Sequence, residues 1–296
     1  MPGDGTGRTR ILANPAAGRG RGRKLVERVR ALASGLDLEV RISRGSEDLT
    51  LQARAAVSDR IERLLVAGGD GTVHWVVQGL AGTDCALGIL PTGSGNDLAG
   101  VLGLPADLEE ALQRALRGPL RRIDLGAVED RLYAGYGGVG LDGEVCRTVE
   151  EEMRWIRGPL AYPCAALVSL LRFVPPRLTV EHDEGRFEDR AMFSVLSNSP
   201  RFGGGMRIAP EARIDDGLLD LVFVSGVSRL DLLRTLPKVY SGRHATHPSV
   251  RMLRTRNAKV SSDRPVMIYG DGEPIRPLER HPVRFRCVPD ALAVAG

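Results

Sequence analysis

Two turns in this chain combine glycine, a hydroxyl and a carboxylate in a pattern suited to phosphate chemistry. The first is Gly68-Gly69-Asp70-Gly71-Thr72. It follows the apolar run Leu64-Leu65-Val66-Ala67 and precedes a segment, residues 73–80, whose apolar residues recur at helical spacing. Strand, glycine turn and helix in that order place backbone N–H groups at a helix N-terminus, where an anion is stabilised. Glycine permits positive φ and lets the backbone approach a ligand closely. Asp70 would repel phosphates unless a divalent cation stood between them, so the pairing points to a metal–nucleotide complex. An ordinary strand-to-helix turn with an aspartate cap is the plain alternative.

The second turn weighs against that alternative. Leu87-Gly88-Ile89-Leu90-Pro91 reads as a buried strand and opens onto Thr92-Gly93-Ser94-Gly95-Asn96-Asp97-Leu98-Ala99. A third turn follows the first strand, residues 10–13, as Asn14-Pro15-Ala16-Ala17-Gly18, with Arg19, Arg21, Arg23 and Lys24 interleaved with glycines. A basic glycine-rich turn suits phosphate contact, and a solvated helix start explains the arginines nearly as well. No G-x-x-x-x-G-K-[ST] run occurs, so this is not a P-loop. In open parallel sheets ligands bind outside the carboxyl ends of the strands, where three such turns can converge.

The elements that must position these turns alternate strand and helix through residues 10–122, which defines an α/β domain. After Asp124 short strands with turn signals dominate, at 124–128, 131–135, 177–182, 191–197, 218–224, 259–262, 266–269 and 283–287. That pattern predicts an antiparallel second domain, interrupted by a helical insertion over 144–172. A second helix over 228–240 has Ser228 as its cap, with Asp231 three residues on. Gly135-Tyr136-Gly137-Gly138-Val139-Gly140 satisfies G-x-G-x-x-G but sits in this β-rich half, outside any βαβ unit, and reads as an approach to Leu141-Asp142-Gly143. Two acidic turns remain. The segment around Asp215-Asp216-Gly217 can offer oxygen ligands to a hard cation or be a solvated turn. Asp271-Gly272-Glu273-Pro274 can supply a base or be a tight hairpin.

Composition sets wide bounds. The 296 residues can bury a sizeable core, and 43% of them are hydrophobic while only 4% are aromatic, so the cores are mostly aliphatic. The 41 basic and 37 acidic residues leave a charge of +4, carried almost wholly by arginine, because the only lysines are Lys24, Lys238 and Lys259. This mild excess fits anionic partners such as nucleotides or an acidic membrane surface. Cys85, Cys146, Cys164 and Cys287 are scattered, without zinc or disulfide spacing, and read as reduced thiols of a cytosolic protein. No secretory signal and no bilayer-spanning run is present. The expected location is cytoplasmic, with transient contact at the inner membrane face.

Four motifs occur together and in order: residues 68–72, residues 91–99, Asn198-Ser199-Pro200 through Asp216-Gly217, and Asp271-Gly272-Glu273-Pro274. The set resembles the diacylglycerol kinase catalytic-domain family, which includes soluble bacterial lipid kinases and their sphingosine kinase relatives, over roughly residues 10 to 290. The resemblance implies two domains: an α/β nucleotide-binding domain, residues 1–122 with the tail 288–296 returning to it, and a β-sandwich domain, residues 123–287. It implies ATP and Mg²⁺ as cofactors. Asn14, Gly18, Ser43, Gly68, Gly69, Asp70, Gly71, Thr72, Ser94, Asn96 and Asp97 would form the nucleotide site, with Asp70 and Asp97 at the phosphates and the catalytic metal.

By the same resemblance Glu273 would be the base that takes the lipid hydroxyl proton, with Asp124 and Asp271 supporting its charge network. A structural magnesium would bind the Asp216 carboxylate and the backbone carbonyls of Arg213 and Leu218. The chain departs from many bacterial members at His74-Trp75, which looks more like eukaryotic diacylglycerol kinases and favours diacylglycerol as acceptor. Ser94 replaces a commoner threonine and keeps the hydroxyl. The expected activity is transfer of the γ-phosphoryl of ATP to a lipid hydroxyl at a membrane surface, with no nucleic-acid partner and a homodimer left open. The alternatives are an NAD kinase-like enzyme with a soluble acceptor and a non-catalytic nucleotide-binding regulator. The insertion, with Trp155, Ile156, Leu160, Tyr162, Leu167, Leu170 and Leu171, is read first as packing on the sandwich core and second as touching the membrane interface.

Overall fold

In the computed structural model, which describes residues 7–17, 22–36, 38–152, 161–279 and 281–296, the chain divides into two compact units. The first holds Met1–Leu125, Ile214–Asp216 and Val288–Gly296, and the second Gly126–Arg213 and Gly217–Cys287.

The first unit runs β1 (Thr9–Ala13), α1 (Gly22–Ser34), β2 (Glu39–Ile42), α2 (Ser46–Ser58), β3 (Arg63–Gly68), α3 (Asp70–Leu80), β4 (Ala86–Pro91), α4 (Asp97–Val101), α5 (Leu108–Arg117) and the first part of β5 (Leu120–Val128). β2, β1, β3 and β4 lie side by side and all parallel. The chain's final residues add a parallel neighbour to β4, with Val294 opposite Leu87. Ile11, Leu12, Leu64, Leu65, Val66 and Leu87 are fully buried, because helices cover a parallel sheet on both faces and its strands become unbroken apolar runs. α5 shows how such a helix is specified. Asp107 caps it by accepting from the N–H groups of Glu109 and Glu110, acids fill its first turn and Arg114 and Arg117 its last. Its buried residues, Leu108, Ala111, Leu112, Ala115 and Leu116, follow the helical repeat.

This sheet has its topological switch between β1 and β3: the chain moves outward from β1 to β2 on one side, then crosses back to β3 and on to β4 on the other. A crevice opens at the carboxyl ends of strands beside such a switch. Asn14 follows β1 and Gly68 ends β3, so two of the turns singled out in the sequence flank it.

The second unit completes β5 and continues with β6 (Arg131–Tyr133), β7 (Tyr136–Gly140), α6 (Leu141–Arg147), a π-helical turn over Thr148–Glu152, α7 (Ala161–Arg172), β8 (Arg177–His182), β9 (Gly185–Ser197), β10 (Leu219–Ser225), α8 (Arg229–Val239), β11 (Val250–Thr255), β12 (Asn257–Ser262), β13 (Val266–Gly270), β14 (Glu273–Leu278) and β15 (Val283–Ala295). The long β9 belongs to two layers. Its first half pairs with β8, which also pairs with β12. Its second half pairs with β7 and β10. Leu178, Val180, Val260 and Phe285 from one layer pack with Val139, Leu196, Phe223 and Ile268 from the other, the alternation expected of an antiparallel sandwich. The far face of the β7–β9–β10 layer is covered by helices, with Leu141, Leu170, Phe173 and Val239 against Val195, Val222 and Val224.

Several expectations are refined here. Among the described residues the helical insertion holds two α-helices and a π-turn, and Leu170 packs on the sandwich as the first reading of it holds. Trp155, Ile156 and Leu160 lie outside the described residues, as does the side chain of Tyr162. β11 and β14 were not anticipated. β14 carries Pro274 and Pro277, which argue against a strand in sequence, but among the described residues β14 pairs with β13 alone, and an edge strand tolerates prolines. The Ser228 cap is present, its hydroxyl accepting from Asp231 N at 3.1 Å. No helix among the described residues is long and apolar enough to cross a membrane.

Candidate active site

In the first unit, the ends of β1, β3 and β4 are tied into one edge. Asn14 N donates to Ala67 O at 3.0 Å, and Thr92 N donates to Gly68 O at 3.0 Å. The Asn14 side chain then bridges the switch, donating from Nδ2 to Thr72 Oγ1 at 2.9 Å and accepting through Oδ1 from Ala16 N at 3.0 Å. Ser43 is buried, with its hydroxyl 3.4 Å from Asn14 Oδ1. Asn14 and Ser43 therefore shape the edge. Gly18 lies outside the described residues.

The two glycine turns press against each other. A Cβ on Gly69 would stand 2.8 Å from Gly93 Cα, and one on Gly93 would stand 2.5 Å from Gly69 Cα. Neither position can carry a side chain, which explains glycine at both better than backbone freedom does. Asn96 holds the second turn in shape: it adopts φ 54, takes Gly93 N on Oδ1 and gives Nδ2 to Gly93 O, both at 2.9 Å. Its amide is thus engaged within the turn. Gly69 caps α3 and has no side chain to occupy the first-turn N–H groups of the helix, the arrangement that leaves a helix N-terminus to an anion.

Asp70 opens α3 and Asp97 opens α4. Asp70 Oδ1 accepts from Leu98 N at 3.4 Å. A Cβ on Gly95 would be 2.7 Å from Asp70 Oδ2 and 3.5 Å from Asp97 Oδ2. Both carboxylates therefore flank one small space that the absent side chain of Gly95 leaves open, and Ser94 beside it is exposed. Thr92, at the start of the second turn, has a covered hydroxyl without a hydrogen-bond partner. Its place in the cradle marks it as a group that sequence alone passes over.

In the second unit, Glu273 starts β14 directly after a two-residue hairpin. Asp271 (φ 52) and Gly272 (φ 87) form that turn, the Asp-Gly solution for a tight hairpin. The Asp271 carboxylate accepts three backbone N–H groups: Ala134 at 2.8 Å, Gly135 at 2.8 Å and Tyr136 at 3.1 Å. From the other side Asn198 grips the same segment, through Nδ2 to Ala134 O at 3.1 Å and N to Gly135 O at 2.8 Å. Two motifs far apart in sequence thus clamp residues 134–136, and the clamp fixes the half-buried Glu273.

Asp124 has a comparable task in the first unit. It is buried on β5 and accepts Asp290 N at 2.8 Å, while its own N–H donates to Ile214 O at 2.7 Å. Asp271 and Asp124 both hold backbone, so they act as positioning residues.

The G-x-G-x-x-G run has a packing explanation. Tyr133 is fully buried, and a Cβ on either Gly126 or Gly137 would run into its ring. Asp216 is half-buried in the turn 214–217 that Gly217 (φ 73) closes before β10, with Arg213 and Leu218 on either side. Among the described residues no group of three His, Cys, Asp or Glu side chains is arranged to hold a metal. A cation at this turn would need backbone carbonyls and water besides Asp216, an oxygen set that fits Mg²⁺ or Ca²⁺.

One titrating group was not anticipated. Asp142, at the start of α6, has both carboxylate oxygens covered and without hydrogen-bond partners. Burial pushes its carboxyl up to about 6, against weak opposition from the nearby N–H groups of Gly143 and of Asp142 itself. An acid raised above its unfolded value of about 3.8 favours folding below that value and loses this advantage as pH rises through about 6. The difference amounts to about 3 kcal/mol. Urea melts of Asp142→Asn at about pH 4 and pH 8 should show a weaker fall in stability than wild type; identical pH profiles would refute this burial effect.

A parallel α/β unit with paired glycine turns and carboxylates at its switch point, followed by a β-sandwich unit, is the build of a two-domain kinase. Residues 8–128 match the diacylglycerol kinase catalytic domain, and residues 135–296 match the YegS C-terminal NAD kinase beta sandwich-like domain. A diacylglycerol kinase of Mycobacterium tuberculosis is 33% identical, covering 97% of this chain and 94% of that protein. A diacylglycerol kinase of Bacillus subtilis is 27% identical, covering 90% and 89%. A crystal structure from Bacillus anthracis superposes with a TM-score of 0.81 at 20% identity, covering 97% of this chain and 94% of that one. The chain belongs to the diacylglycerol kinase family and is a lipid kinase, a phosphotransferase with an alcohol as acceptor. The resemblance read from the four motifs is borne out, as is the two-domain fold.

Proposed function

We propose that this protein transfers the γ-phosphoryl group of ATP to the free hydroxyl of diacylglycerol, in a Mg²⁺-dependent reaction at the cytoplasmic face of the membrane. The observation that carries this reading is the pair of facing glycine turns with Asp70 and Asp97 around the space beside Gly95. The α3 N-terminus and the Gly69 and Gly93 backbones hold the phosphates. Asp70 and Asp97 would hold the catalytic Mg²⁺, which when bound neutralises phosphate charge. Asp216, with the carbonyls of Arg213 and Leu218, would hold a structural one.

Glu273 accepts the proton of the lipid hydroxyl as its oxygen bonds to the γ-phosphorus, and the bond to the bridging oxygen breaks to release ADP. Asp271 keeps the hairpin that carries Glu273, and Asp124 keeps the 290 turn. Phosphoryl transfer asks mainly for such positioning and charge neutralisation. The choice of diacylglycerol rests on the names of the M. tuberculosis and B. subtilis relatives.

The test supplies γ-labelled ATP, Mg²⁺ and mixed micelles of candidate lipids, with Asp70→Ala as the blank. Label should enter the organic phase with diacylglycerol and stay out of it in the blank. Organic-phase label with another lipid alone would change the acceptor. Label on aqueous NAD alone would replace the reading with an NAD kinase, and ATP binding without any transfer would replace it with a regulator.

A further inference from the structure

The helix α8 carries a wider apolar arc than its contact with the core covers. Its inner face is made by Leu232, Thr235 and Val239, of which Leu232 and Val239 join the helical side of the sandwich core. At 100° per residue Leu236, Tyr240, Leu233 and Leu230 continue from that face around one flank of the helix, and these are exposed by 41%, 57%, 37% and 57%. A helix exposed on one side normally turns charge outward. Here four large apolar side chains share one exposed flank, and an apolar patch of this kind marks a surface that something covers.

The charges beside the arc say what that is. Arg234 and Lys238 are exposed along one border of it and form no ion pair among the described residues. Lys238 is one of only three lysines in the chain. The helix's one acid, Asp231, is turned aside onto His247, 3.3 Å from Nε2. A second copy packing this face on itself about a two-fold axis would bring like cations together. A bilayer with anionic headgroups meets both features: acyl chains take the leucines, the interface takes Tyr240, and the headgroups take the cations. The patch does not stop at α8. Arg229 donates to Phe173 O at 3.1 Å, which ties the start of α8 to the end of α7, where Leu171 and Val174 are 59% and 52% exposed.

We infer that α8 is a docking helix for an anionic lipid surface, lying in the interface with Leu230, Leu233, Leu236 and Tyr240 inserted. The inference rests on the lipid kinase reading for its purpose, since a diacylglycerol acceptor must be reached in a membrane, but docking is measured without catalysis. Flotation with vesicles of phosphatidylcholine, alone or mixed with phosphatidylglycerol, is run on the full chain without nucleotide. Wild type should float with the anionic vesicles. Leu230→Gln with Leu236→Gln should weaken that binding at least about tenfold. Arg234→Glu with Lys238→Glu should weaken it on anionic vesicles, and raised salt should mimic that loss. These positions are exposed, so unaltered circular dichroism and retained transfer to short-chain dispersed diacylglycerol should accompany both.

Flotation equal to wild type in both variants would overturn the inference. So would a wild-type dimer that the glutamine variant splits while vesicle binding persists, because the arc would then belong to a second copy. The two readings fail separately: flotation that needs α8 without any lipid phosphorylation removes the kinase function and leaves the docking helix. Phosphorylation with flotation indifferent to α8 does the reverse.

Discussion

Glu273→Gln should lower phosphoryl transfer to diacylglycerol by about 10²–10⁴-fold while leaving ATP affinity within about twofold. The substitution keeps shape and hydrogen-bonding reach but removes the ability to accept a proton. Its local consequences are small, because the hairpin is held by Asp271 on the N–H groups of Ala134, Gly135 and Tyr136 rather than by Glu273. Single-turnover transfer and equilibrium binding of a fluorescent nucleotide separate the two effects. Rates equal to wild type would remove Glu273 from the role of base. A parallel loss of nucleotide affinity would show that Glu273 shapes the nucleotide site instead.

Gly93→Ala should cost about 1–3 kcal/mol of stability and at least about tenfold in nucleotide affinity. The added methyl would stand 2.5 Å from Gly69 Cα and 2.9 Å from Asn96 Oδ1. Neither neighbour is the free end of a flexible side chain. Gly69 is the cap of α3, and Asn96 is fastened to Gly93 by two hydrogen bonds. Relief therefore has to part the two turns, which separates the elements that carry Asp70 and Asp97. Gly35→Ala is the control, since a Cβ there meets nothing within 4 Å. Thermal melts and nucleotide titration of the pair check the effect, and equal behaviour of the two variants would show that the turns have slack.

The nucleotide half was legible because its chemistry is local. A strand, a glycine turn and a helix are contiguous in residues 64–80, and their periodicities differ, so the order of elements and the position of Asp70 follow from one short stretch. The second unit was harder to read. β14 contains two prolines, and only its place at the sheet edge makes them acceptable. The acceptor preference drawn from His74-Trp75 falls on α3, where His74 is buried with its ring edge-on to Trp75 at 5.7 Å. The exposed leucines of α8 were hidden as well: in sequence they are indistinguishable from a core face, and which arc is inside is settled by the sheet behind the helix.

The sequence by itself determined the order of elements, the α/β unit followed by a β-rich one, the glycine–carboxylate turns and the family. These depend on residue type, spacing and periodicity, which are properties of contiguous chain. Only the tertiary structure decided how these groups are placed. It showed that Gly69 and Gly93 are glycines because two backbones meet, that Asp271 and Asn198 clamp one segment, and that both carboxylate oxygens of Asp142 are covered. Contacts between residues 24 to 137 positions apart leave no periodic trace in a single sequence, because each partner is constrained by a neighbour that the chain reaches only on folding.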